Sequence, residues 1–519
     1  MKIVNLKTNR ISKPLGFNLG NKPRLSWIVE SETAKRQEAA QIEVSTDSDF
    51  KNVIFDSGKR KDIDSICYQL DIDLKPRTRY YWRVRVWGDD GSVALSDPAW
   101  FETSKMDEPW QAKWITPDFD PSYHPIIFTD FNIEKKVVGA RSYVCGLGLY
   151  EMAINGEKAG DEYLSPGLVA YDKWIPYQTY DITGLLKSGA NRIEISLGNG
   201  WYKGRYGLNR KVLFHYGDRF ALICEIHVLY DDGSTDVFYS DINWKARRSE
   251  VMDSGIFDGE VYDDTFADDT VYAVKLIDLD VNRLEPRRSP GIKIKERLKP
   301  VEIIHTPAGE TVIDMGQNMV GWLEFTNRLP KGTELLIQFG EVLQNGNFYR
   351  DNLRTAKCEF RYVSDGVKKK VRQHFTFYGF RYVKLTGWVG ELNLDDFTGL
   401  VLYSDMDRTG NITTDNPLVN RLFLNALWGQ KGNYLDVPTD CPQRDERMGW
   451  TGDAQVFSGT AAFNMDVFAF FNKYLYDLKQ EQKARGGNVP VVVPAHDVKQ
   501  NGACGWGDAA VIIPWNMYL

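Results

Sequence analysis

The stretch VPTDCPQRDERMGWTGD runs from Val437 to Asp453. Two prolines, two glycines and a dense run of charges in seventeen residues exclude a regular helix or strand. Strongly helical segments flank it, so it reads as a loop held on a rigid scaffold, the usual setting for binding and catalytic groups. Its chemistry is specific. Carboxylates at Asp440, Glu446 and Asp453 can converge on one small polar ligand. Arg444 offers a planar fork that clamps hydroxyls or an anion. Trp450 offers an apolar face and a single N–H donor. Acid, clamp and aromatic platform together suit a sugar ring. The competing reading is a solvated loop of local Asp/Arg pairs.

Working outward, the helical character begins near Asp405. Asn416-Pro417 predicts a helix start, with Asn as N-cap and Pro in the first turn. Val419, Phe423, Ala426 and Leu427 then share a face. A second helical segment is expected from Asp453. In a third, Val467, Phe470, Phe471, Tyr474, Leu475 and Leu478 follow helical spacing, which leaves Glu481 on the exposed side. Gly486-Gly487 stops it, and a fourth helix is expected near Ala509. The chain ends at Leu519 inside that apolar segment, so a fragment of a longer protein is expected.

Upstream the pattern is strand and turn. Residues 1–105 read as an immunoglobulin-like or fibronectin type III-like β-sandwich. Within it RYYWRVRVW (Arg79–Trp87) places Tyr80, Trp82, Val84 and Val86 on one face. Residues 106–299 read as a second β-sandwich, of jelly-roll type. Asn155-Gly156 marks a hairpin there, and the Gly-rich loop GNGWYKGRYG (Gly198–Gly207) either contacts a sugar or is a turn packed by Trp201 and Tyr202. The acidic stretch Asp258–Asp269 lacks the order of a calcium loop and reads as solvated. Residues 300–404 form a third β block.

Composition excludes some classes. The net charge is −7 with no basic patch, against a nucleic-acid partner. No run approaches the ~20 apolar residues of a membrane span. Six scattered cysteines without a CxxC pair, and an N-terminus without an apolar leader, point to a reducing, cytoplasmic setting, with periplasmic export or secretion still open. Only six histidines occur, none in an HExxH cluster, so neither a metal nor another cofactor is expected.

Asp440 to Asp453 closely resembles the signature of bacterial α-L-rhamnosidases of glycoside hydrolase family 78. KPLGFNLGNKPRLSW, YLSPGLVAYDK, GNGWYKGRYG, IDMGQNMVGW and FTFYGFRYV are also similar to that family, so the likeness spans the chain. It implies a multidomain β + α architecture: several antiparallel β-sandwiches followed by the first part of an (α/α)6 catalytic barrel, residues 405–519. It implies inverting hydrolysis of terminal α-L-rhamnose from an oligosaccharide or glycoside. Glu446 matches the general acid, and Asp440, Arg444, Trp450, Asp453 and Trp506 match substrate contacts. The family's general base lies further downstream, so these residues alone are expected to be inactive. A homodimer is open to this reading. Two rivals stand beside it: a non-catalytic carbohydrate-binding protein of several β modules, which leaves Asp440–Asp453 unexplained, and a helical-barrel glycosidase or lyase of other specificity.

Overall fold

The computed structural model describes residues 1–207, 213–495 and 498–519. It divides into two compact units. The first comprises Met1–Trp110 with the returning segments Pro176–Tyr180 and Leu284–Pro290. Its strands β1 (Gln37–Ser45), β2 (Arg79–Gly88) and β3 (Ala99–Thr103) lie in a six-stranded sheet, and Lys2–Thr8, Arg24–Glu30 and Tyr68–Gln69 form a three-stranded one. The alternation in β2 works as read: Tyr80, Trp82, Val84 and Val86 are buried in one core with Trp27, Ile42 and Phe101. Period-two patterning forces this, because successive side chains leave opposite faces of a strand.

The second unit comprises Gln111–Ile175, Asp181–Arg283 and Gly291–Leu519. Its first part is antiparallel. β4 (Val137–Leu147) pairs with β5 (Ala221–Tyr230) over ten residues. Asn155 and Gly156 take positive φ (53° and 82°) and close the hairpin between Leu149–Ile154 and Glu157–Lys158, as a two-residue primed turn requires. In the next sheet β6 (Thr311–Thr326) is flanked by β7 (Tyr378–Thr386) and β8 (Phe397–Ser404). The acidic stretch departs from expectation. Gly259–Asp263 is a strand paired in parallel with Glu359–Val363, and Asp258, Asp264 and Asp268 pair with Arg205, Lys369 and Arg248. The ion pairs flank the strand on both sides, while residues 264–269 keep the loop conformation the sequence suggests.

The helices begin where expected. α1 (Pro417–Asn433) is capped by Asn416, whose side chain accepts from Leu418 N at 2.9 Å. Of the four residues sharing a face, only Leu427 is buried, while Val419 is exposed. α2 (Thr451–Asn464) starts two residues before Asp453, with Trp450 at the N-cap. α3 (Phe468–Ala484) buries Phe470, Phe471, Tyr474 and Leu478, and α4 (Ala509–Tyr518) contains Pro514. No helix among the described residues is long and apolar enough to cross a membrane.

Glu481 contradicts the expected exposed face of α3: it is only 4% exposed. It accepts from Ala495 N at 3.1 Å and pairs with Lys173 and Arg485. The partners come from outside the helix, so a polar position faces inward. The same helix face carries a buried network. Lys473 donates to Leu168 O and to Asp436 Oδ2 at 2.9 Å, and lies 3.6 Å from Asp477 Oδ2. Asp477 accepts from Trp174 Nε1 at 2.7 Å and Ala170 N at 3.2 Å. The β-module segment Leu168–Trp174 is thereby tied to the helices.

Burial pushes the Asp477 carboxyl up to about 6, against the opposing pull of the Lys473 ammonium; Asp436 adds repulsion. A carboxyl that titrates higher folded than unfolded binds more protons when folded. Its contribution to stability is therefore full at low pH and is lost as pH rises through about 6. From about pH 4 to about pH 7, the unfolding free energy of Asp477→Asn should gain on wild type by on the order of 3 kcal/mol. Urea titrations across that range check this, and a pH-independent difference would refute it.

Candidate active site

The loop that carries the acidic residues is closed by its own backbone. A two-residue hairpin, Tyr434–Leu435 with Val437–Pro438, brings the chain off α1. Asp440 N donates to Met448 O at 3.1 Å, and Met448 N donates back to Asp440 Oδ1 at 2.9 Å. The exit is equally fixed. Val493 N donates to Gly449 O at 2.8 Å, and Tyr474 Oη donates to the same oxygen at 3.0 Å. A Cβ on Gly449 would lie 2.1 Å from Val493 O, so only glycine permits this approach. Thr451 donates through N and Oγ1 to Val491 O, which seats the start of α2.

Arg447 anchors the loop to the β modules. It is 1% exposed and adopts φ of 50°. Its guanidinium donates to Ile256 O (2.7 Å), Phe377 O (2.8 Å), Gln443 O (2.9 Å) and Arg444 O (3.0 Å), and to Cys358 Sγ. Its own carbonyl accepts from Tyr206 Oη at 2.6 Å. Phe377 packs against the cation 4.8 Å away.

Glu446, the neighbouring residue, is 9% exposed and accepts from two guanidiniums and an indole. Arg354 Nη1 lies 2.9 Å and Arg444 Nη2 3.2 Å from its Oε2, and Trp450 Nε1 donates to Oε1 at 3.2 Å. Arg444 also reaches Asp440 at 3.5 Å. Asp440, Arg444, Glu446 and Trp450 thus form one contact set. Asp453, in the first turn of α2, shares with Asp440 the wall of a cleft of about 380 Å³ that Tyr434 and Phe457 also line. Burial raises the carboxyl pKa of both Asp440 and Asp453, and the charge of Glu446 adds to it. Trp506 packs against Gly452, beside Asp453: a Cβ on Gly452 would lie 3.0 Å from the indole Nε1. Its ring is 39% exposed, open to a ligand.

Asp440, Cys441 and Glu446 bring one ligand atom each within 4.8 Å. The thiol is pushed up to about 12 by burial and the Asp440 carboxylate, and two guanidiniums already hold Glu446, so this donor set suits hydroxyls better than a cation.

Sequence reasoning missed Arg354 and Thr355, which come from the third β block. Thr355 N donates to Asp445 Oδ2 at 3.0 Å and its hydroxyl bonds the same oxygen. Neither sits in a periodic pattern; positive φ at Arg354 (60°) marks it only once coordinates exist.

Sandwich modules lead into a helical domain, with an acid-and-arginine loop between its first two helices, the layout of the six-hairpin glycosidase fold. Family profiles match in that order. Residues 3–107 match a Rha78A-like N-terminal immunoglobulin domain and 135–296 an alpha-L-rhamnosidase N-terminal domain. Residues 304–403 match a bacterial alpha-L-rhamnosidase concanavalin-like domain and 407–519 the six-hairpin glycosidase domain of the same family. The chain belongs to the bacterial α-L-rhamnosidase family. An alpha-L-rhamnosidase of Formosa agariphila is 35% identical over 548 residues, covering 97% of this chain and 58% of that protein. The structure of an Aspergillus terreus rhamnosidase superposes with a TM-score of 0.93 at 33% identity, covering all of this chain and 62% of the other. That of a Streptomyces avermitilis rhamnosidase complexed with L-rhamnose does so with 0.93 at 28%, covering all of this chain and 68% of the other. The chain therefore spans roughly three-fifths of the first two of these relatives.

Removing the Arg447 guanidinium takes a charged donor from four carbonyl oxygens in a packed interior. Arg447→Ala should lower the unfolding free energy by about 3–5 kcal/mol, read as a drop in the urea midpoint. Arg447→Lys should recover little of it, since an ammonium cannot reproduce the fork.

Proposed function

We propose that the protein containing this chain is an inverting α-L-rhamnosidase, with Glu446 as general acid. The observation that carries this reading is the convergence of Arg354, Arg444 and Trp450 on the Glu446 carboxyl. Inversion requires an acid that protonates the departing oxygen while a second carboxylate activates water on the opposite face. As the proton leaves, negative charge develops on the acid. Three donors already aimed at its oxygens are placed to stabilise that charge without reorganising. Asp440, Asp453 and the open indole of Trp506 offer acceptors and an apolar wall to the hydroxyls and methyl group of rhamnose. Membership of a family whose relatives are named for this activity supports the substrate class.

Under this reading the water-activating carboxylate lies outside the Asp440–Asp453 loop, later in the helical domain. Glu481 does not supply it, since Ala495 N, Lys173 and Arg485 hold it in the protein interior. These 519 residues by themselves are therefore expected to release no measurable rhamnose. A cytoplasmic setting is proposed on the cysteine pattern.

In the longer protein, Glu446→Gln should lower kcat for rhamnosyl disaccharides by about 10²- to 10⁴-fold with an unchanged thermal melt. Release of rhamnose at a near-wild-type rate would sink the assignment.

A further inference from the structure

The Gly-rich loop GNGWYKGRYG supports the Glu446 loop through Tyr206 but contributes no side chain to the contacts of Glu446 itself. Gly200–Lys203 forms one helical turn, and Trp201 and Tyr202 are buried, so those rings hold the fold. The charged side chains of the same loop turn elsewhere. Lys203 and Arg205 line a cavity of about 410 Å³, within the ~300–1,000 Å³ typical of small-ligand sites.

Lys203 is the unusual group. It is 5% exposed, and its ammonium lies over the rings of Phe220 (4.5 Å) and Phe214 (5.6 Å). Among the described residues it has one hydrogen-bond acceptor, Asn199 Oδ1 at 2.9 Å. An ammonium carries three donors, so two directions remain. Burial lowers its pKa, opposed by the charges of Asp253, Asp218 and Asp120. Burying a cation this incompletely bonded is costly unless something in the cavity completes it. Asp253 also opens onto the cavity. Its Oδ1 accepts from Ser254 N at 2.9 Å, and its second oxygen has no protein donor among the described residues. Asp253 is exposed at the cavity rim, and the partial desolvation its neighbours impose raises its carboxyl pKa.

The lining selects the ligand class. An anion would meet Asp120, Asp218, Asp253 and Asp258, while a cation would meet Lys203 and Arg205. A vicinal diol satisfies both, accepting from the ammonium and donating to the carboxylate. Phe214, 49% exposed on the rim, supplies the apolar face that a pyranose ring stacks upon. The cavity is separate from the Glu446 cluster and shares no residue with it. Arg205 stands between them, held by Asp258 at 2.6 Å and reaching Thr355 Oγ1 and O at 3.3 Å. We propose that this cavity is a second saccharide-binding site, for a neutral pyranose, built by Lys203, Asp253 and Phe214 and independent of hydrolysis.

The test is calorimetric titration of cellobiose and, separately, methyl α-L-rhamnoside into the 519-residue chain and its variants. At least one sugar should bind saturably. Lys203→Met and Asp253→Asn should each weaken that binding tenfold or more at an unchanged melting temperature, while Arg444→Ala leaves it intact. Phe214→Ala, on the exposed rim, gives the same reading where Lys203→Met fails to fold. The proposal is overturned if neither sugar binds, if Asp253→Asn and Phe214→Ala bind as wild type does, or if Arg444→Ala abolishes the binding.

Discussion

The loop Asp440–Trp450 depends on one buried cation. Among the described residues Arg447 pairs with no carboxylate, and its guanidinium finds compensation in the dipoles of carbonyl oxygens from residues 256, 377, 443 and 444. Two of these belong to the β modules and two to the loop itself. The geometry is demanding, because the planar fork must meet oxygens already committed to their own backbones. That demand makes the loop conformation specific. It also explains why a segment with no regular secondary structure holds Glu446 in a defined place.

The acid's surroundings are shared between modules. Arg444 and Trp450 come from the loop, whereas Arg354 arrives from the concanavalin-like module in a backbone conformation that non-glycine residues rarely adopt. The adjacent Thr355 is bonded twice to Asp445. A local conformation costing of order 1–3 kcal/mol persists where surrounding contacts determine it, and such positions collect at functional sites. A β module therefore furnishes one of the groups held on the Glu446 carboxyl as well as supporting the loop.

Much of this was legible in the sequence because it follows from local rules. The alternation of β2, the Asn155-Gly156 hairpin and the Asn416 cap need only neighbours in the chain. The grouping of Asp440, Arg444, Glu446 and Trp450 was visible because all four lie within eleven residues. What could not be read depends on partners far away. Arg354 precedes Glu446 by 92 residues. Glu481 looks solvent-facing on a helical wheel until Lys173, three hundred residues earlier, is brought beside it. Asp264, just past the end of a strand, is held in place because Lys369 and Tyr362 meet it from distant parts of the chain. Helical periodicity records where apolar groups go; it carries no information about buried charge that is neutralised from another module.

The tie between Leu168–Trp174 and α3 bears on how such proteins can be taken apart. Asp477 and Lys473 find their partners in a stretch that sequence segmentation would give to a different domain. An excised helical domain would carry a carboxylate and an ammonium stripped of those partners on a newly bared surface. Chimeras that exchange catalytic modules between relatives face the same difficulty at the seam. The unit of inheritance for grafting is the helical domain together with this short strap, which lies far upstream of the first helix.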